Sequence, residues 1–241
     1  MIVATALAAA VLLAWAWLLR SPMADGSAME SMAMPREPLS AAYLLPAFGM
    51  WAIMMVAMMV PSAAPMILLH ARIDKAPSAR ARTAHTTLFA LAYLLVWTLF
   101  SAAAALAQAI LVRSGIVTAA GLAVGSNTLA AGLLLTASAY ELTAAKRVCL
   151  DKCQSPLVFM LRRYRAGAAG AFRLGIVHGL YCLGCCWALM LLLFAGGVMN
   201  LAWVAVLGIL VLGEKLVPPS WRAERLVALA LFIGAIALLL G

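Results

Sequence analysis

Charge is scarce in this chain, and negative charge is scarcer still: 8 Asp and Glu stand against 17 Lys and Arg in 241 residues. Only 10% of residues are charged while 67% are hydrophobic, and the mean hydropathy is +1.07. A soluble domain of this size has no use for so apolar a composition, and no stretch is left for a soluble catalytic domain. There is no Gly-rich phosphate loop and no Ser/His/Asp arrangement whose order suggests hydrolysis, so the sequence does not read as an enzyme. Cys149 and Cys153 are separated by three residues and do not form a Cys-x-x-Cys motif, which weakens a thioredoxin-like reading of that pair. The five cysteines are odd in number and form no secreted framework. Free thiols and metal ligation therefore account for them better than structural bridges. The positive excess lies in short loops, where it sets topology and meets lipid headgroups; no basic face large enough for a nucleic-acid duplex is visible.

What is present in quantity is long apolar runs. Runs of about 18 residues or more, repeated along the chain, mark a polytopic membrane protein, because in hydrocarbon the backbone must satisfy its own hydrogen bonds within a helix. The expected fold is an all-α transmembrane bundle of about seven helices. The first runs from Ile2 to Leu19 and occupies residues 1–20; a cleaved signal peptide is the alternative and leaves six spans. A polar linker over 21–42 follows, and a membrane domain over 43–241. Within that domain the spans fall near Tyr43–Leu69, Thr86–Val112, Ile116–Tyr140, Ala171–Phe194, Val198–Leu212 and Arg225–Leu240. Basic loops over His70–His85 and 141–170, with a weaker one after Leu212, alternate to one side. That side is cytoplasmic by the positive-inside rule, which places the N-terminus inside, the C-terminus outside and the chain in a bacterial inner membrane.

The chemistry concentrates in the fifth span, which reads His178-Gly-Leu-Tyr-Cys182-Leu-Gly-Cys185-Cys186-Trp187. On a helix, His178, Cys182, Cys185 and Cys186 fall within a band roughly 100° wide, so one face gathers sulfur and nitrogen ligands. Soft donors favour Cu(I), with Zn(II) as second choice. His178 and Cys186 are about 12 Å apart along an ideal helix, too far for one ion. Either two binding positions follow one another, or Gly179 and Gly184 unwind the helix locally. Gly175 and Gly179 form a Gly-x-x-x-Gly pair on the same face, which predicts close approach of a neighbouring helix.

Three further sets of soft donors complete the candidates. Met50, Met54 and Met58 recur every fourth residue in the second span, either as thioether ligands or as plain core filling. Met29, Met32 and Met34 lie in the outer linker, where they cannot fill a core. Cys149 and Cys153 share a helix face in the 141–170 loop, beside Lys146 and Arg147, which would favour their thiolates. Glu214 and Lys215 close the sixth span as an interfacial ion pair or a proton-coupling acid, and Asn200 caps its start.

The strings Lys146-Arg147-x-Cys149-Leu-x-x-Cys153-x-x-Pro156, Gly170-Ala-Phe-Arg-Leu-Gly175-x-x-His178-Gly-x-x-Cys182-Leu-Gly-Cys185-Cys186-Trp187, Gly197-Val-Met199-Asn200 and Glu214-Lys215 carry a resemblance. So does Trp51-x-x-Met54-x-x-Ala57-Met58-Met59-x-Pro61-Ser62. Over roughly Phe48–Pro218 the chain resembles a bacterial family of integral membrane proteins of unknown function, predicted to bind metal. The resemblance implies a multi-helix membrane domain that handles metal. Together these features suggest Cu(I) transport, or Cu(I) delivery to a membrane cuproenzyme or a metallochaperone. The competing classes are a membrane thiol-disulfide oxidoreductase and a non-catalytic assembly or scaffold subunit.

Overall fold

The computed structural model describes residues 2–20, 38–118 and 122–240. Its helices are α1 (Ile2–Arg20), α2 (Ala41–Ile73), α3 (Ala79–Arg113), α4 (Asn127–Glu141), α5 (Ala144–Gln154), α6 (Pro156–Arg163), α7 (Ala168–Leu191), α8 (Leu193–Gly196), α9 (Leu201–Leu216) and α10 (Ala223–Leu240). Among the described residues the only strand-like pairing is an isolated bridge between Val117 and Val124. The all-α expectation therefore holds. Among the described residues five helical stretches are long and apolar enough to cross a membrane, or six if the bent pair α4–α5 counts as one span. The remaining expected span, α9, has 16 residues.

Several boundaries differ from the expected ones for identifiable reasons. Pro46, Pro61 and Pro65 lie inside α2, which nonetheless runs 33 residues without a break. The helix carries on through His70 and Arg72, so the expected His70–His85 loop shrinks to 74–78. Ser78 then caps α3, its hydroxyl accepting from the Ala81 amide at 3.1 Å. The apolar run from Ile116 is not helical at its start. Gly115 and Leu122 take positive φ, the segment folds back on itself, and α4 begins only at Asn127.

The largest correction concerns 141–170. Expected as a loop, it is mostly helix: α5 turns 68° from α4, with Thr143 capping it by accepting from the Lys146 amide at 3.2 Å, and α6 follows from Pro156. The connections at one end of the bundle touch each other. The Lys75 amide donates to Tyr164 Oη at 3.2 Å, and Gln154 Nε2 donates to the carbonyls of Glu214 and Val217 at 2.7 and 3.1 Å. At the opposite end the Val124 amide donates to the Phe194 carbonyl at 2.9 Å, and that of Val198 to Leu122 at 3.3 Å. The three basic connections thus share one end, as the alternation of spans requires.

α7 and α2 are the most enclosed spans, and α1 and α10 the most peripheral. Several polar side chains buried between spans are paired, since an unsatisfied polar group has no water to turn to. Trp51 Nε1 donates to Gln108 Oε1 at 2.7 Å, and Gln108 Nε2 to Tyr43 Oη at 2.8 Å, tying α2 to α3. Ser138 donates to the Ala228 carbonyl at 2.8 Å, tying α4 to α10.

Candidate metal centre

Close approach of α3 to α7 positions the site. A Cβ on Gly175 would lie 2.3 Å from the Phe89 carbonyl oxygen, and one on Gly179 would lie 2.8 Å from Val96 Cγ2. No side chain fits at either place, so the Gly-x-x-x-Gly expectation is met by backbone-to-backbone packing. α7 stays regular from Ala168 to Leu191; the local unwinding at Gly179 or Gly184 is not observed. The face bearing His178, Cys182, Cys185 and Cys186 points inward, and all four are buried.

His178 lies among rings. Phe89 and Tyr93 stack on it at 6.1 and 5.4 Å between centroids, and Phe159 meets it edge-on at 5.8 Å. Neither Nδ1 nor Nε2 has a hydrogen-bond partner among the described residues. Two orphaned nitrogens on a buried imidazole are costly unless something else engages them.

Cys182 is held differently. Its sulfur lies 2.9 Å from Lys215 Nζ and 3.1 Å from Tyr93 Oη. Lys215 Nζ also donates to Ser62 Oγ at 2.9 Å, and Tyr93 Oη donates to the Met59 carbonyl at 3.1 Å. An ammonium in a dry interior requires a compensating negative charge, and the sulfur is the group touching it that can carry one. Lys215 thus stands beside the thiol as a built-in cation. Neither member of the Glu214–Lys215 dipeptide pairs with the other, and both are buried, which corrects the expected interfacial pair. Ser62, Tyr93 and Lys215 were not among the expected site residues. The available signal was a lysine within an apolar span, which has to find a partner.

The other thiols gather nearby. Cys185 and Cys186 donate to the Cys182 carbonyl at 3.1 and 2.9 Å. The thiols of Cys153, Cys182 and Cys186 all neighbour that of Cys185, and Cys149 Sγ lies against Gly184. All five cysteines are free. Cys149 and Cys153 therefore lie on α5, packed under α7, and not in an open loop. Lys146 does not serve them. Its ammonium is fully enclosed and pairs with Glu141 Oε2 and with Glu214 Oε2, the latter at 2.7 Å. Arg147, the other expected cation, is exposed.

Met50, Met54 and Met58 are buried, as are Met55 and Met59, and Met58 packs on Gly208 of α9. The stripe thus lies inside the bundle, and Met59 and Ser62 bring it next to the site. Met29, Met32 and Met34 lie outside the described residues. Among the described residues, no group of three or more His, Cys, Asp or Glu is arranged to hold a metal ion. A soft ion content with two sulfur or nitrogen donors suits this geometry.

Outside the spans, Asp74 accepts from Tyr164 Oη at 2.7 Å and pairs with His85 Nδ1 at 2.9 Å. Burial pushes the Asp74 carboxyl up, but these partners outweigh it and leave it below the ordinary carboxylate value.

A family model described as PpoB2, copper chaperone, matches residues 48–238. No curated protein and no solved structure matches the chain.

Proposed function

We propose that this chain, which belongs to the copper chaperone family PpoB2, is a multi-pass inner-membrane protein that binds Cu(I) between α7, α3 and α9 and delivers it onward. Copper is the cargo in this reading, not a reaction centre, and the chain acts by ligand exchange and not as an enzyme. Copper handling follows from the family. The membrane setting is supported by the five long apolar helices and by the three basic connections at one end, with the N-terminus on that side.

The observation that carries the site is the pairing of Cys182 with His178 one turn away. The sulfur has a cationic neighbour, and both imidazole nitrogens lack any partner among the described residues. A monovalent soft ion on Cys182 would replace the positive charge of Lys215, which gives up its proton as the ion arrives, and would engage an orphaned nitrogen. Cys185, touching Cys182, Cys186 and Cys153, offers the next sulfur, so that an ion passes between donors without standing bare in lipid.

The test is the copper content of protein purified from membranes without chelators, for the natural sequence against Cys182→Ser and Cys186→Ser. Loss of copper in Cys182→Ser supports the site; equal copper in all three refutes it. A reversible intramembrane disulfide in metal-free protein would instead favour a thiol oxidoreductase.

A further inference from the structure

A cavity of about 720 Å³ opens at the basic end of the bundle. Its wall carries Lys152, Arg162, Arg163, Arg165 and Arg173 against a single carboxylate, Asp151. Arg162, Arg165 and Arg173 are exposed and free to turn toward a ligand, while Arg163 is held over Tyr181, donating to its hydroxyl at 2.9 Å. The floor includes Phe159, whose ring meets His178 edge-on. Only one aromatic ring therefore separates this cavity from the imidazole of the proposed site. Ser155 and Asp151 flank Cys153 on the same wall.

The sign of the charge is the puzzle. A cleft lined by one sign of charge focuses the field and repels ions of that sign, so a bare copper cation is the ligand this mouth is least suited to admit. The wall is suited to an anion. Cu(I) on two small thiolates is an anion, because one positive charge meets two negative ones, and carboxylates on the thiol carriers add to it.

We infer that the cavity is a docking vestibule for an anionic Cu(I)–bis-thiolate complex of a small carboxylated thiol. The inference rests on the copper-site reading above. The exchange balances without a redox step. Each carrier Cu–S bond that breaks is replaced by one bond from copper to a protein donor, and copper stays Cu(I). Both carriers leave with their electron pairs as thiolates, and one takes up the proton that the Cys182–Lys215 pair gives up.

The test uses the full chain in neutral detergent and two copper donors, Cu(I) on glutathione, which is anionic, and Cu(I) on cysteamine, which is cationic. Initial copper uptake is measured as salt rises. The expected result is a glutathione-borne rate about 10-fold faster at low salt, falling as salt screens the wall, and a cysteamine-borne rate that rises with salt. The double variant Arg162→Gln/Arg173→Gln brings the two salt slopes together, and Arg162→Lys/Arg173→Lys keeps them apart. Matching slopes in the natural protein overturn the inference, as do separated slopes in the Gln variant or merged slopes in the Lys variant. The same measurement in lipid discs of phosphatidylcholine or phosphatidylglycerol addresses headgroup binding: loss of the preference in phosphatidylglycerol makes the cavity a lipid seat and also overturns it. Copper uptake with no carrier preference sinks the vestibule alone. No uptake from either donor sinks the copper site, and the vestibule with it.

Discussion

Lys215 of α9 and Cys182 of α7 meet at 2.9 Å inside the bundle, although 33 positions separate them in the chain. The contact joins the most reactive type of side chain in the apolar interior to a group that resembles its proposed cargo in charge. The site is therefore electrically complete before any metal arrives.

Removing that charge has a defined consequence. In Lys215→Met the Cys182 sulfur loses its cationic neighbour. Copper uptake at neutral pH is expected to slow by about tenfold. Lys215→Arg keeps the charge and most of the rate. Uptake from a chromophoric Cu(I) chelator checks this; equal rates in all three proteins would show that the ammonium has no part in capture.

The Glu141–Lys146–Glu214 cluster is a stability element, with every member buried. Lys146→Met leaves two carboxylates without their cation and should cost about 3–5 kcal/mol. Adding Glu214→Gln to that variant should recover part of the loss. Denaturation in detergent monitored by tryptophan fluorescence reports both, and an unchanged unfolding midpoint in Lys146→Met would contradict the assignment.

Two glycines on α7 should be intolerant and one on α4 should not. Gly175→Ala places a Cβ 2.3 Å from the Phe89 carbonyl and must part α3 from α7. Gly132→Ala meets nothing within 4 Å and should be neutral, or stabilising by up to about 1 kcal/mol. Size-exclusion profiles and melting temperatures separate the two outcomes.

Asp74 supplies the pH dependence at the basic end. Its carboxyl is lowered on folding, so its contribution is fully present above the ordinary carboxylate value and fades as pH falls through the lowered one. The Asp74–Tyr164 contact should then hold from neutral pH down to about pH 4 and fail only below it. Hydrogen exchange at the Lys75 amide, which donates to Tyr164, is the readout, corrected for intrinsic exchange. Asp74→Ala should speed it several-fold at neutral pH. Fading of protection between pH 7 and pH 5 would assign the latch to another group.

Much of the architecture could be read from local pattern. The fifth span was expected at Ala171–Phe194 and lies at Ala168–Leu191, with its glycine pair against α3 and its cysteines inward. Asn200 caps α9 as expected, accepting from the Trp203 amide at 3.1 Å. The 141–170 stretch misled because its charges look solvated when read along the chain. Lys146 is cancelled by Glu214, 68 residues away, and that pairing allows α5 to bury beneath α7. The surroundings of Cys182 were hidden for the same reason: its partners Tyr93 and Lys215, and Ser62 on which Lys215 also rests, arrive from three different helices. The Ile116 run misled in the opposite direction, since Val117 pairs back on Val124 at the end of the bundle away from the basic connections and does not extend the span.

Cys149 Sγ comes so near Gly184 that a single added carbon there would overlap it at 2.8 Å. The gap between α5 and α7 is therefore filled where the sulfur faces Gly184, while the rest of Cys149 is part-exposed. An adduct on Cys149 that turned toward Gly184 would have to part the two helices. Occupancy at that thiol would in this way become movement at the surface where α5 and α6 emerge, readable by whatever docks there.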